Sequence, residues 1–330
     1  MVMIDSTHTQ YANVFGVVPS RRLGRSLGIS PIPTKTCNYS CVYCQLGRTL
    51  RYARERQMYY SVEDIMAQLK QYIESLDSEE YDVVTIVGDG EPTLYSGLGR
   101  LIDEIHAVQT RPVAIISNGA LLFRPDVREE VSRADIVMLN FDSWDQESLK
   151  RINRPLSELT FSKRMQGYRE FREEFTGMLY LEVMMVKDLN DNDAALENLA
   201  RLAQQIQPDN VFINTPVRPP AESWVRIPDQ DRLAKAAEIF GWSRIDYLPE
   251  GAFISLSEDP VSGVLNIISR HPMRLEDIRA LLARRVTPEE IEGLLENIRR
   301  ALASNPSVET ISYRSSTFYR IRRAPAKRKV

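Results

Sequence analysis

The sequence predicts an α/β protein: an open, partial (β/α)6 barrel over residues 1–255, then a small winged-helix-like domain over residues 256–330. Three observations predict it. Four of the six strand candidates are near-continuous apolar runs without alternation, as expected of a parallel sheet covered on both faces. Amphipathic segments of helix length separate most of them. Six such units fill about 220 residues, where a closed eight-unit barrel takes about 250.

The elements follow in order. The N-terminus is polar, then basic at Val18-Pro-Ser-Arg-Arg-Leu-Gly-Arg25. Ser26-Leu-Gly-Ile-Ser-Pro-Ile32 reads as the first strand and delivers the chain to a cysteine loop, Cys37 to Gly47. A basic, tyrosine-rich loop comes next (Arg48, Arg51, Tyr52, Arg54, Arg56, Tyr59, Tyr60). Ser61-Val-Glu-Asp64 resembles a capping box and opens a helix with Ile65, Leu69, Tyr72 and Ile73 on one face. Strands are expected at Tyr81–Val87, Pro112–Ile116, Ile136–Leu139, Met178–Val186 and Asn210–Asn214. Helices are expected at Leu98–Val108, Arg124–Arg133, Phe161–Phe175 and Ala194–Gln205.

Near Asp259 the pattern changes. Three amphipathic segments (Val261–Ile268, Arg274–Leu282, Pro288–Leu302) precede two alternating runs, Val308–Tyr313 and Thr317–Ile321, that flank Arg-Ser-Ser. Pro288 suits a first helical turn, where its missing N–H costs nothing. Three helices and a hairpin give the winged-helix order.

Composition excludes several classes. With 43% hydrophobic and 26% charged residues the chain is an ordinary globular one. No run approaches the ~20 apolar residues of a membrane span, and Met1 to Gln10 carries no apolar signal core, so a cytoplasmic location is expected. The net charge of −3 is uneven: Val261 to Val330 holds fourteen Lys and Arg against seven Asp and Glu. The basic end, Arg320 to Val330, reads either as a solvated tail or as a contact for an anionic partner such as RNA.

All three cysteines, Cys37, Cys41 and Cys44, sit in one loop at spacing C-x3-C-x2-C, with Tyr43 before the third. An odd number in eight positions is no disulfide framework. Such a loop can hold zinc or an iron–sulfur cluster. Structural zinc wants four ligands, and His8, His106 and His271 are far away in sequence. A [4Fe–4S] cube on three cysteines leaves one iron open to an external ligand. Gly88-Asp-Gly-Glu-Pro92 follows the second strand, Ser117-Asn118 ends the third, Asn140 and Asp142 follow the fourth, and Thr215-Pro216 ends the last. Those strand ends form the face where such folds bind ligands. Glu182, Met184 and Val186 share one face of the fifth strand. Arg151, Asn153 and Arg154 form a basic cluster, and Arg218 stands beside Pro219-Pro220. Each arginine reads as a surface residue or as a clamp for carboxylate or phosphate.

The cysteine spacing and the aromatic before the third cysteine resemble the radical S-adenosylmethionine superfamily, over about residues 13–220. The resemblance implies a [4Fe–4S] cluster on Cys37, Cys41 and Cys44 whose open iron chelates S-adenosylmethionine. It implies that Gly90, Glu91 and Pro92 meet the cofactor's methionine amino group. Ser117, Asn118, Asn140 and Asp142 would meet its ribose and carboxylate, and Tyr43 and Thr215 would lie near the adenine. It implies a flavodoxin- or ferredoxin-type electron donor and a 5′-deoxyadenosyl radical that takes a hydrogen atom from a substrate. The chain looks most like the branch of wyosine-base tRNA synthases, which carry three further cysteines for a second cluster; this sequence has none. Three functions follow: a radical enzyme acting on RNA, one acting on a small molecule or polypeptide (including an activase), and a non-enzymatic electron-transfer or sensor protein.

Overall fold

The apolar runs pair in the order in which they occur in the chain. The computed structural model describes residues 13–240 and 253–322. β1 (Val14–Ser20) and β2 (Gly24–Ile29) form an antiparallel hairpin. β3 (Thr36–Cys37) and β4 (Arg51–Tyr52), a short parallel pair, bracket the cysteine loop. β5 (Val83–Val87), β6 (Val113–Ser117), β7 (Ile136–Asn140), β8 (Met178–Met184) and β9 (Asn210–Asn214) join β2 in parallel. The sheet order is β1-β2-β5-β6-β7-β8-β9.

A parallel sheet whose order follows the chain returns on the same side after every strand, because crossovers are right-handed. One face therefore collects the helices and the other curves into a barrel interior. The helices are α1 (Val62–Ser75), α2 (Leu98–Val108), α3 (Pro125–Val131), α4 (Gln146–Ile152), α5 (Phe161–Glu174), α6 (Asp193–Ile206) and α7 (Gln230–Phe240). Ser61 caps α1 as expected, accepting from the Asp64 N–H at 3.1 Å. Val84, Ile115, Leu139, Leu181 and Ile213 point outward and form one core with Leu69, Leu101, Val127, Phe171 and Leu199 of the helices. The opposite face is filled lower down by Ile116, Met138, Tyr180 and Phe212, with Leu23 of the β1–β2 turn tucked beneath. Among the described residues no strand joins β9 to β1, so the barrel is open.

The sequence reading is corrected in three places. Its first strand is the second of the sheet: Val14–Ser20 pairs along it, although Gly16 and Pro19 weaken the strand signal. Gly16 serves a close approach, since a Cβ there would lie 1.3 Å from the Ile254 carbonyl oxygen. Proline is tolerated because β1 is an edge strand. Helices α4 and α7 also went unanticipated; α4 starts on an Asp145 cap that accepts from the Ser148 N–H at 2.7 Å.

The last residues form α8 (Pro260–Ile268), β10 (Met273–Arg274), α9 (Leu275–Leu282), α10 (Pro288–Ser304), β11 (Val308–Tyr313) and β12 (Ser316–Ile321). The three strands pair in the order β10-β12-β11. Ile267, Ile278, Leu282 and Ile298 make a second core, which takes in Phe15 and Val18 of β1. The Ile254 N–H bonds the Val17 carbonyl at 2.9 Å. At the other edge, the Tyr313 hydroxyl donates to the Pro216 carbonyl just after β9. This unit thus touches both sides of the open barrel. The basic residues 323–330 lie outside the described residues. No helix among the described residues is long and apolar enough to cross a membrane.

Candidate functional site

The cysteine loop crosses the C-terminal ends of the strands. Its turn closes at Gly47, whose φ of 83° favours glycine and whose N–H bonds the Cys44 carbonyl at 2.9 Å. The end of α4 supports it, with Ser40 N–H on Asn153 O at 3.0 Å and Val42 N–H on Ile152 O at 2.9 Å. Two amides reach the sulfurs: Asn118 Nδ2 lies 3.8 Å from Cys37 Sγ, and Asn153 Nδ2 lies 3.5 Å from Cys41 Sγ. Burial pushes the Cys37 thiol well up, and Glu91 adds to it. Burial pushes Cys41 up to about 12. Metal-free, these two sulfurs are thiols; a bound cation would be needed to make them thiolates.

Gly88-Asp-Gly-Glu-Pro92 lies against the approach to Cys37. A Cβ on Gly90 would lie 1.6 Å from the Thr36 carbonyl oxygen, and the Glu91 N–H bonds that oxygen at 3.2 Å. The Glu91 carboxylate is buried, and protein groups largely occupy it. Oε1 accepts from the Thr93 N–H (3.0 Å), the Thr93 hydroxyl (2.6 Å) and the Ser117 hydroxyl (2.6 Å), and Oε2 accepts from the Asn118 N–H (2.8 Å). Burial raises its pKa against the lowering effect of those bonds. Glu91 is thus a staple between the ends of β5 and β6.

Asp142 is a second staple. Its Oδ2 accepts from the Tyr43 hydroxyl and from Asn153 Nδ2 (2.9 Å), and its Oδ1 from the Met184 N–H (2.7 Å). Burial raises its pKa first of all. The Tyr43 ring is buried with Val42, Ile152, Val186 and Val225. Ser117 spends its hydroxyl on Glu91, and Asn118 donates to Asn38 Oδ1 at 2.7 Å. Asn140 and Glu182 stand opposite each other on the interior face of β7 and β8. Thr215 is buried at the end of β9, and its hydroxyl has no partner among the described residues.

Sequence reading missed several contacts. Glu222 grips Arg48 with both oxygens (2.8 and 2.7 Å) and also pairs with Arg154, clamping the cysteine loop from outside. Arg151 lies apart from this, exposed, with a 3.5 Å contact to the Asp188 carbonyl. Asp89 pairs with Arg270 at 3.1 Å. Gln45 donates to the Arg270 carbonyl (3.0 Å) and lies 3.2 Å from His271 Nδ1. The one available signal was the aspartate itself, an odd residue in a glycine-rich turn.

Three thiols in one short loop are the soft donors an iron–sulfur cluster takes, one on each of three irons. Beside the loop, the Thr36 hydroxyl and Asn38 Nδ2 are buried without partners among the described residues, as is the Thr215 hydroxyl. Buried polar atoms left this way suit a site that a ligand completes.

The family model described as the Radical SAM superfamily matches residues 31–203. The chain belongs to the radical SAM superfamily. It is therefore an enzyme of a group that uses S-adenosylmethionine and an iron–sulfur cluster and generally needs a reductant. It is 38% identical to a UPF0026 protein of Methanocaldococcus jannaschii over 81% of this chain and 85% of the relative. It is 31% identical to a UPF0026 protein of Helicobacter pylori over 86% of this chain and 88% of the relative. A radical SAM methyltransferase from Sphaerobacter thermophilus has the same fold, with a TM-score of 0.52 at 16% identity over 68% of this chain and 66% of that one. So does TYW1 with a lysine-pyruvate adduct bound, with a TM-score of 0.50 at 18% identity over 65% of this chain and 72% of that one.

Proposed function

We propose that this radical SAM enzyme holds one [4Fe–4S] cluster on Cys37, Cys41 and Cys44 and abstracts a hydrogen atom from a substrate seated inside the barrel. The observation that carries it is the three-thiol loop at the strand ends, with unpartnered polar atoms beside it. When bound and reduced, the cluster with S-adenosylmethionine would supply a 5′-deoxyadenosyl radical, the hydrogen-abstracting species. The rest of the work falls to the chain. Gly90 lets the turn approach the loop, and its neighbouring carbonyls suit the cofactor's amino group. The Glu91 and Asp142 staples hold the strand ends rigid, because each bonds groups from two or more segments. Thr215 and Asn140 are the polar side chains we assign to the nucleoside. The C-terminal unit, docked on Gln45 and Asp89, keeps water from the radical. The face around exposed Arg51 and Tyr52, where Arg48, Arg54 and Arg154 outnumber the Glu222 and Glu158 they pair with, suits an acidic flavodoxin- or ferredoxin-type donor.

The test is anaerobic reconstitution with iron and sulfide, followed by dithionite and S-adenosylmethionine. 5′-Deoxyadenosine should form, and Cys41→Ala should abolish it. No product, with a reduced-cluster EPR spectrum unchanged on adding S-adenosylmethionine, would sink the reading. Any test of RNA binding by the basic tail must keep β12, the central strand of its sheet, so the truncation belongs after Arg322 and not at residue 314.

A further inference from the structure

Four arginines from four segments lie where the open side of the barrel meets the C-terminal unit, near enough to act on one another or on His271. Arg22 comes from the β1–β2 turn, Arg218 from the run after β9, Arg270 from the end of α8, and Arg274 from β10. Three of them have carboxylate partners: Arg22 with Glu182, Arg270 with Asp89 at 3.1 Å, and Arg274 with Asp277 at 2.8 Å. Arg218 makes no hydrogen bond or ion pair with any described residue, and Asp277, the carboxylate that acts on it, has both oxygens on Arg274.

The surroundings make this unpaired charge unusual. Burial, then Arg21, push the Arg218 guanidinium down to about 10, still protonated at neutral pH. Burial, then Arg21 and Arg218, push Arg22 down to about 9. His271 stands among Arg218, Arg270 and Arg22; burial first, then their charges, hold its ring neutral. Arg218 is only partly buried, so its guanidinium is open to an external anion, and the like charges beside it favour binding one. The backbone around it is fixed, since Val217 is buried and Tyr313 bonds the Pro216 carbonyl. His271 also touches Gln45, the residue after the third cysteine, which ties this side of the barrel to the cysteine loop.

We propose that Arg218 is the anchor for an oxyanion on the substrate, a carboxylate or a phosphate, with Arg22 and His271 lining the seat. A planar guanidinium fork binds either anion through two parallel hydrogen bonds. Binding energy from that remote group holds the reacting C–H in position beside the cofactor. That the occupant is the substrate rests on the function proposed above; the seat itself does not.

The experiment uses the full chain, cluster-loaded and anaerobic, without S-adenosylmethionine or reductant, so it reads binding whether or not radical chemistry occurs. Thermal unfolding is followed against inorganic phosphate and, separately, acetate, with sodium chloride at matched ionic strength as control. One of the two probes should stabilise the protein saturably, which identifies the anion class. Arg218→Gln should weaken that response about tenfold or more, and Arg218→Lys should weaken it less. Arg299→Gln, on the exposed side of α10, should leave it intact. Ligand-free, Arg218→Gln should melt at the same or a higher temperature, because it removes an uncompensated charge; a residue with a purely structural role would lower it. The proposal is overturned if neither probe exceeds the chloride control. It is equally overturned if Arg218→Gln leaves the anion response unchanged.

Discussion

Asp89 and Arg270, 181 positions apart in the numbering, meet at 3.1 Å with side chains that are 3% and 6% exposed. The pair joins the glycine-rich turn beside the cysteines to the C-terminal unit. Breaking a buried pair leaves a desolvated charge behind, which costs about 3–5 kcal/mol. Arg270→Met should therefore lower stability by about that amount in urea titrations, and adding Asp89→Asn should recover part of the loss. An Arg270→Met cost below about 1 kcal/mol would mean the pair does not tie the two parts together.

Gly90 tests the close approach at the site. Alanine there would drive its Cβ into the Thr36 carbonyl, which is backbone and cannot rotate away. Gly90→Ala should destabilise by about 2 kcal/mol or more and reduce cluster loading, read as iron per chain. Gly293 on α10 is the control: nothing lies within 4 Å of a Cβ built there. Gly293→Ala should stabilise by up to about 1 kcal/mol and leave iron content unchanged.

These contrasts show how much was legible beforehand. The buried strands β5 to β9 announce themselves as apolar runs, because both of their faces are covered. β1 does not, since its Gly16 answers to Ile254, a partner beyond the reach of local pattern. The cysteines were plain because three thiols in one loop have few uses. The role of Glu91 was only half legible: residue type suggested an acceptor for an amine, and the fold spends that carboxylate on Thr93, Ser117 and Asn118. Asn153 was legible only as part of a cluster with Arg151 and Arg154, and Glu222 gave no signal, because what they do depends on loops brought together by the whole barrel.

Asn153 joins three groups at once, reaching Cys41 Sγ at 3.5 Å, Asp142 Oδ2 at 2.9 Å and the Tyr43 hydroxyl at 3.3 Å. Partners of metal ligands typically govern retention by tenfold or more. Asn153→Leu should lose iron to a chelator about tenfold faster than the parent chain. Equal loss rates would reduce Asn153 to a packing residue.

Glu222 gives a pH prediction. Hydrogen bonds from Arg48, then from Arg154, hold its carboxyl below the ordinary 4.5. A depressed folded pKa contributes stability above the unfolded value and loses it as pH falls through the folded one. Glu222→Gln should cost about 2 kcal/mol at pH 7. That difference should stay flat down to about pH 5 and shrink below about 4.5. Urea midpoints at pH 7, 5, 4 and 3 measure it; a gap that widens on acidification contradicts the assignment.

The docking of Gln45 on Arg270 and His271 also fixes a sequence of events. Translation delivers the three thiols about 200 residues before the segment that covers their far side, at roughly 5–20 residues per second. For about ten seconds or more the nascent barrel presents its loop to solvent with that side bare. Iron and sulfide delivered then meet no obstruction, whereas delivery to the finished protein must pass the unit that α8 anchors. A chain stalled on the ribosome before residue 253 should accordingly take up its cluster faster than the released, full-length protein.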